Sequence, residues 1–412
     1  MPASTETIIR STPAQRLERL GVSHRGSMQY LEKALRKHWG LGKNIVLCWR
    51  PRPDGIDVLL VPHYFLAQFT SSLQDGEPRD RLDALNGNFV RRLIASKRKM
   101  NDLEFESTAR RFGIPITKVS LPVPLQPDSP ALDVIEDVVG RYSISYVASR
   151  AVLLFDIVDF SLLTPFEQTS QLNSLSYSLN SAYSKMLKRD IDIDFARTTT
   201  GDGFYIWNRD QSALASVHLF QFMLMTIADN ALARQNARAK TVPIIRTGFH
   251  VGSHYEFYQA EALNPTMFSY IVGDVTVELA RILEAGEPGQ IYLGDFAAKV
   301  PTSDREGAYL IDVDSVRFVE RMRKYLARLK GVELAGEEVE SIHCFLTGET
   351  GITGGEAIHR YKITDKHGRS RHAYNVRVNI RTRGHKPILL GTHGTDRATD
   401  SITGGRIQKL RR

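Results

Sequence analysis

Two short segments constrain this chain more than any others. Ala151-Val-Leu-Leu-Phe-Asp156-Ile-Val-Asp159-Phe-Ser161 runs an apolar stretch into acidic residues. Thr198-Thr-Thr-Gly201-Asp202-Gly203-Phe-Tyr-Ile206 runs an acidic turn into an apolar stretch. Val152–Phe155 predicts a buried strand with Asp156 at its end. Leu172, Leu175, Leu179, Tyr183 and Met186 then recur at three- to four-residue spacing and predict a long helix. Gly201-Asp202-Gly203 predicts a tight turn, and Phe204–Trp207 a returning strand. Strand, helix, strand, hairpin and strand open a ferredoxin-like unit. Such a unit can bring Asp156 and Asp202 to one strand end despite their separation in sequence. Either aspartate alone reads as a turn residue. Together they can hold two divalent cations, activate a hydroxyl and neutralise a triphosphate.

Three further segments extend the pattern. Ile245-Arg-Thr-Gly248-Phe-His250-Val-Gly252 reads as a strand with glycines at its end. Tyr270-Ile-Val-Gly273-Asp-Val-Thr-Val-Glu-Leu-Ala280-Arg281 follows, and then Pro288-Gly-Gln-Ile-Tyr-Leu293. With these the sequence resembles the class III nucleotidyl cyclases. Their F-x-D-I-V-x-F metal motif matches Phe155 to Phe160 with the first Phe offset by one. Their G-D turn matches Gly201-Asp202, and their G-I-H-x-G strand matches Gly248 to Gly252. Their G-x-x-x-N-x-A-x-R helix matches Gly273 to Arg281 in part, and their P-G-Q-I strand matches Pro288 to Ile291.

The resemblance implies an α+β fold: a ferredoxin-like βαββαβ cyclase domain with helices on a mostly antiparallel sheet. It also implies a reaction, attack of a ribose 3′-oxygen on the α-phosphorus of the same nucleoside triphosphate with loss of pyrophosphate. Asp156, Asp202 and the Ile157 carbonyl would bind two divalent cations, Mg²⁺ or Mn²⁺. The backbone N–H groups of Val158, Asp159, Phe160 and Ser161 would cradle the terminal phosphates. Arg281 matches the family's transition-state arginine, against the plain reading of a surface helix arginine. Lys362 or Lys366 would neutralise the triphosphate, although both also read as strand-edge lysines. The family works as a head-to-tail homodimer with shared active sites, and a chain that carries each half once fits that symmetry.

Some positions depart from the family. Its ribose-orienting Asn falls on Val277, with Glu278 beside it. Asp159 stands where many relatives have Gly. Thr198 and Tyr270 occupy the base-reading positions, which are Lys and Asp in adenylate-making relatives and typically Glu and Cys in guanylate-making ones. A bulky Tyr and a small hydroxyl suggest a smaller pocket, because bases are told apart by hydrogen bonds and shape. In this the chain resembles the pyrimidine cyclases of bacterial antiphage (Pycsar) defence, which make cyclic UMP or cyclic CMP for a cyclic-nucleotide-binding effector. Adenylate production stays open through Arg197 as an offset Lys equivalent. So does a degenerate cyclase fold that binds a nucleotide and regulates, for which Val277 speaks.

The rest of the chain adds context. Its 412 residues have room for two or three domains. With 42% hydrophobic and 24% charged residues the composition is that of an ordinary globular protein. Cys48 and Cys344 make neither a metal cluster nor a disulfide framework, which points to a reducing, cytoplasmic setting. The N-terminus lacks a signal-peptide layout, and the apolar stretch around Leu214–Ala228 is too short and polar to span a membrane. Residues 1–118 read as a separate N-terminal α/β domain of unknown role, with a hairpin around Arg50–Gly55 and a basic helical stretch from Arg79 to Arg111. The net charge of +8 fits a nucleic-acid partner or a triphosphate; a solvated face is the preferred reading of the basic helix, and no nucleic-acid partner is expected. Residues 119–143 read as a proline-rich linker and short helix, which either relays a signal or packs on the cyclase-like region. Residues 144–380 form that region, with an insertion at about 304–355. Residues 381–412 read as a basic, mobile tail.

Overall fold

The computed structural model describes residues 13–410 apart from 41, 43–44, 71–79, 127–128, 211, 238, 261–266, 304–308, 351–355, 366–367, 384–385 and 392–405. The chain divides into two compact units. One comprises Met1–Val147 and Tyr255–Tyr270, the other Ala148–His254 and Ile271–Arg412.

The first unit contains α1 (Pro13–Glu18), α2 (Val22–Gly40), β1 (Ile45–Arg52), β2 (Gly55–Val61), α3 (Phe65–Thr70), α4 (Asp80–Ala95), α5 (Asp102–Phe112), β3 (Ile116–Ser120) and α6 (Ala131–Gly140). β1 and β2 form the expected hairpin, and β3 joins β2, giving a three-stranded antiparallel sheet. Alternating strand residues face opposite sides. Val46, Trp49, Val58 and Leu60 pack with α2 and α6, while Ile45, Leu47, Leu59 and Val61 pack with α4 and α5. The basic stretch 79–111 is two helices, because Asn101 caps α5 by accepting a 2.8 Å bond from the Glu104 N–H. The stretch read as a linker holds the end of β3 and all of α6. Leu132, Ile135, Val138 and Val139 of α6 are buried in this unit's own core. That three- to four-residue spacing defines the apolar face of the short helix expected here.

The second unit follows the βαββαβ order. Its elements are β4 (Ser145–Ile157, which starts in the first unit), α7 (Pro165–Leu187), β5 (Phe195–Thr199), β6 (Gly203–Asn208), α8 (Ala215–Asn236) and β7 (Ile245–Ala260, which runs on into the first unit from Tyr255). Then come β8 (Met267–Val272), α9 (Asp274–Glu284), β9 (Ile291–Gly294), β10 (Ala297–Pro301), β11 (Leu310–Asp314), α10 (Ser315–Leu326), β12 (Glu333–Leu334) and β13 (Glu337–Leu346). The last are β14 (Gly348–Thr350), β15 (Glu356–Ile358), β16 (Arg360–Thr364), β17 (Ser370–Thr382), β18 (Ile388–Leu390) and β19 (Arg406–Leu410). The main sheet runs β12-β13-β17-β9-β7-β4-β6-β5. Its assigned pairings are antiparallel except β7 with β9. α7, α8 and α10 bury Leu175, Leu179, Phe220, Phe222, Phe318 and Met322 on one face with Leu153 and Phe155 of β4. α9 covers Val152 and Leu154 on the other.

Within the stretch expected as an insertion, β13 pairs with β17, and α10 packs its Phe318–Met322–Tyr325 stripe into the core. The charge of α10 masked that stripe. The tail is not uniformly loose. β18 buries Ile388 and Leu390 against β17, and β19 pairs with β16. Too few apolar residues mark these short strands for periodicity to find them. Residues 392–405 lie outside the described part.

Candidate active site

β4 alternates its side chains, so Leu153, Phe155 and Ile157 enter one core and Val152 and Leu154 the other. Asp156 follows Leu154 in register and ends half-buried where the strand stops. Directly across it in β6 is Gly203. A Cβ there would lie 1.9 Å from the Phe155 carbonyl oxygen, so only glycine lets the strands approach. Gly201 has φ +99, which glycine adopts without strain. The turn is further tied by the Ile157 N–H, which donates to the Asp202 carbonyl at 2.9 Å. Thr200 Oγ1 donates to Asp202 Oδ1 at 3.0 Å. The two aspartates thus share one strand end, as their sequence setting predicts. Burial raises the Asp156 carboxyl above its ordinary range; Arg246 pulls it down, and the Asp202 charge pushes it up again.

Sequence reasoning missed two neighbours. Arg246, on β7 beside β4, donates from Nε to Asp156 Oδ2 at 2.7 Å, and its Nη2 bonds the same oxygen. The available signal was a charged residue alternating with buried Ile245 and Thr247 in a strand next to the acidic one. Tyr205 lies across from Leu154 and donates its hydroxyl to the Thr276 carbonyl of α9 at 2.8 Å. Burial, with Asp156 and Asp202 adding, pushes its phenol up to about 12, so it stays neutral.

α9 buries Val275, Leu279, Ile282 and Leu283 and turns Val277 outward. Arg281, one turn beyond Val277, bonds Glu284 at 2.6 Å. Glu278, the neighbour of Val277, has its carboxylate 2.5 Å from His250 Nε2. That contact holds Glu278 below the usual carboxylate range.

The predicted phosphate cradle is changed. The Val158 N–H is spent on the Ile244 carbonyl at 2.9 Å. Asp159 sits at φ 55, the left-handed region that glycine fills more readily. Phe160–Leu162 form a single 3₁₀ turn, and α7 begins only at Pro165 behind its own Thr164–Glu167 capping box. The motif's helix start is therefore a separate turn ahead of the long helix.

The remaining sites are scattered. Thr198 lies half-buried on β5 in the second unit. Tyr270, on β8, belongs to the first, where its ring stacks on Phe257 at 5.7 Å. Lys362 on β16 faces His372 on β17. Burial first, then Arg360 and Lys362, lowers the His372 pKa. Lys366 lies outside the described residues.

Asp156, Asp202 and the Ile157 carbonyl offer only oxygen donors, which is what hard divalent cations take. The crowded, partly desolvated carboxylates also gain from added positive charge, so the residues fit such a group. Among the described residues no cluster of three or more His, Cys, Asp or Glu gathers. No described helix is long and apolar enough to cross a membrane.

No protein-family model and no curated protein match the chain. Among solved structures it is similar to the adenylyl cyclase CyaB from P. aeruginosa, with 16% identity, 57% of this chain and 95% of that chain covered, and a TM-score of 0.33. It is similar to the guanylate cyclase domain of RhGC from Catenaria anguillulae in complex with GTP, with 14% identity, coverages of 41% and 95%, and a TM-score of 0.29. A bacterial light-regulated adenylyl cyclase gives 10% identity, coverages of 61% and 71%, and a TM-score of 0.30.

Proposed function

We propose that the chain is a nucleotidyl cyclase that converts a nucleoside triphosphate to a 3′,5′-cyclic nucleotide and pyrophosphate. One observation carries this reading: Asp156 and Asp202 meet at one end of β4 and β6. Asp156, Asp202 and the Ile157 carbonyl would hold two Mg²⁺ or Mn²⁺ ions. Such ions lower the pKa of the attacking 3′-hydroxyl and neutralise the triphosphate. The N–H groups of Asp159, Phe160 and Ser161 would cradle the terminal phosphates. Arg246 adds a guanidinium beside the carboxylates, where polyphosphate charge would gather.

Arg281 is the transition-state arginine in this reading. Its bonded partner here is Glu284 rather than either site aspartate. This fits a head-to-tail homodimer in which α9 of one copy completes the site of the other. Lys362, in a patch with Arg360 and His372, would counter triphosphate charge.

Thr198 and Tyr270 favour a pyrimidine base, and with it cyclic UMP or cyclic CMP as a second messenger for an effector in antiphage defence. Adenylate cyclisation is the second reading. It needs Arg197, whose guanidinium instead lies 5.1 Å from the Phe204 ring and 3.2 Å from Ser176 Oγ. The degenerate-fold reading rests on Val277 and is opposed by the intact aspartate pair.

The test incubates the protein with Mn²⁺ and ATP, GTP, CTP or UTP in turn, with mass spectrometry of the products and Asp202→Ala as control. The expected result is cyclic UMP or CMP that disappears in the variant. Cyclic AMP would replace the pyrimidine reading, and no product from any of the four would favour the degenerate fold or a cyclase awaiting its activator.

A further inference from the structure

Asp156 already has a cation. Arg246 approaches it through Nε and Nη2, and both bonds end on Oδ2. The third nitrogen, Nη1, reaches only the Gly286 carbonyl at 3.5 Å, a long contact. The guanidinium is therefore held mainly by one carboxylate oxygen. The side chains are 26% and 16% exposed, so water reaches the pair. Coulomb attraction there is neither fully screened nor locked in by deep burial.

We infer that Arg246 is an exchangeable counterion that neutralises Asp156 in the metal-free protein and leaves Oδ2 when that oxygen takes a divalent cation. This rests on the reading of Asp156 as a metal ligand. The reasoning is one of charge. Without a cation, two partly desolvated carboxylates would face each other at the strand end, which is costly. Arg246 relieves that cost while the site is empty of metal. The same relief has to be given up when metal binds, so the arginine and the metal compete for one oxygen. Arg246 thereby weakens metal affinity and stabilises the metal-free fold. A lysine at 246 would keep the charge but not the two-pronged grip, and falls between.

The experiment titrates Mn²⁺, without nucleotide, into the wild type, Arg246→Gln, Arg246→Lys and Asp156→Asn, following free Mn²⁺ by electron paramagnetic resonance. Thermal melts are run with and without metal. Arg246→Gln is expected to bind Mn²⁺ about tenfold more tightly, to melt lower without metal and to gain more from it, because a ligand of the folded state stabilises in proportion to its affinity. Arg246→Lys is expected in between, and Asp156→Asn should lose the site. Unchanged or weaker binding by Arg246→Gln, with binding that still depends on Asp156, overturns the exchange and leaves the cyclase reading standing. If Mn²⁺ binding ignores Asp156 in every protein, the metal site falls and the exchange falls with it. A second measurement needs no variant fold. The Arg246 Nε–H resonance of ¹⁵N-arginine-labelled wild type should move on Mg²⁺ addition, and a resonance that stays put at saturating Mg²⁺ overturns the exchange.

Discussion

Arg50 and Arg246 both meet acid inside the protein, but on different terms. In the first unit, Arg50 bonds Asp57 at 2.9 Å, Asp102 at 3.2 Å and Glu106 at 2.8 Å, and its guanidinium lies 4.7 Å from the Phe105 ring. Its side chain is 9% exposed and that of Asp57 only 4%. These contacts tie the β1–β2 hairpin to α5. In the second unit, Arg246 spends two donors on one oxygen of Asp156, and neighbouring Asp202 takes a neutral hydroxyl instead of a cation. The first arrangement is closed and structural. The second keeps negative charge unmatched at a strand end, which is what the proposed metal site requires. The contrast shows that an ion pair is informative through what it leaves unneutralised, more than through its presence.

The largest expected effect breaks the closed arrangement. Arg50→Ala leaves Asp57 buried and poorly paired, and should cost about 3–5 kcal/mol in urea denaturation. A loss below about 1 kcal/mol would mean that the pair is not structural.

Next comes the open site. Arg281→Ala should lower kcat about 10²–10³-fold, the scale of losing one charge-stabilising donor, with an unchanged melting temperature. Mixing Arg281→Ala with Asp202→Ala should restore activity, since one hybrid site then has both residues intact. Continued silence of the mixture would remove the shared-site dimer.

Smaller is the effect of Asn101→Ala, which uncaps the helix that brings Asp102 and Glu106 to Arg50. Its cost should be about 1 kcal/mol, measured by the same denaturation, and a neutral result would free α5 from its assigned cap.

Smallest is a pH effect on the third kind of pair, carboxylate with histidine. The Glu278 carboxyl is held below the usual carboxylate range, chiefly by its bond to His250. Its stabilising contribution is therefore full above that range and lost as pH falls through the lowered pKa. Stability of Glu278→Gln should vary less steeply with pH below about 4.5 than the wild type; equal slopes would show that the tie contributes nothing.

What was legible in the sequence was local or nearly so. The apolar run before Asp156, the spaced leucines of α7 and the glycine-flanked Asp202 each announce their element, and one hairpin plus one crossover then suffices to join the aspartates. Arg246 was hidden because its importance depends on β7 lying next to β4, which is a matter of sheet order. Tyr205 was hidden likewise, since its bond is to a helix far along the chain. The cradle at Val158 was misjudged because a motif gives residue types and not which N–H groups neighbouring strands already use. Ile388 and Leu390 escaped because three-residue strands carry too little pattern.

The chain crosses between its two units three times, after Val147, His254 and Tyr270. Neither unit is therefore a single continuous stretch of the chain. A protein begun at residue 148 would carry Tyr255 without Tyr146, the ring that packs against it at 5.2 Å. A single proteolytic nick near 147 would not release the N-terminal piece, because the segment Tyr255–Tyr270 that completes its own unit arrives on the other fragment. Any recombination that exchanges the aspartate-bearing half between such proteins must carry that segment's partners with it, which couples the inheritance of the two halves.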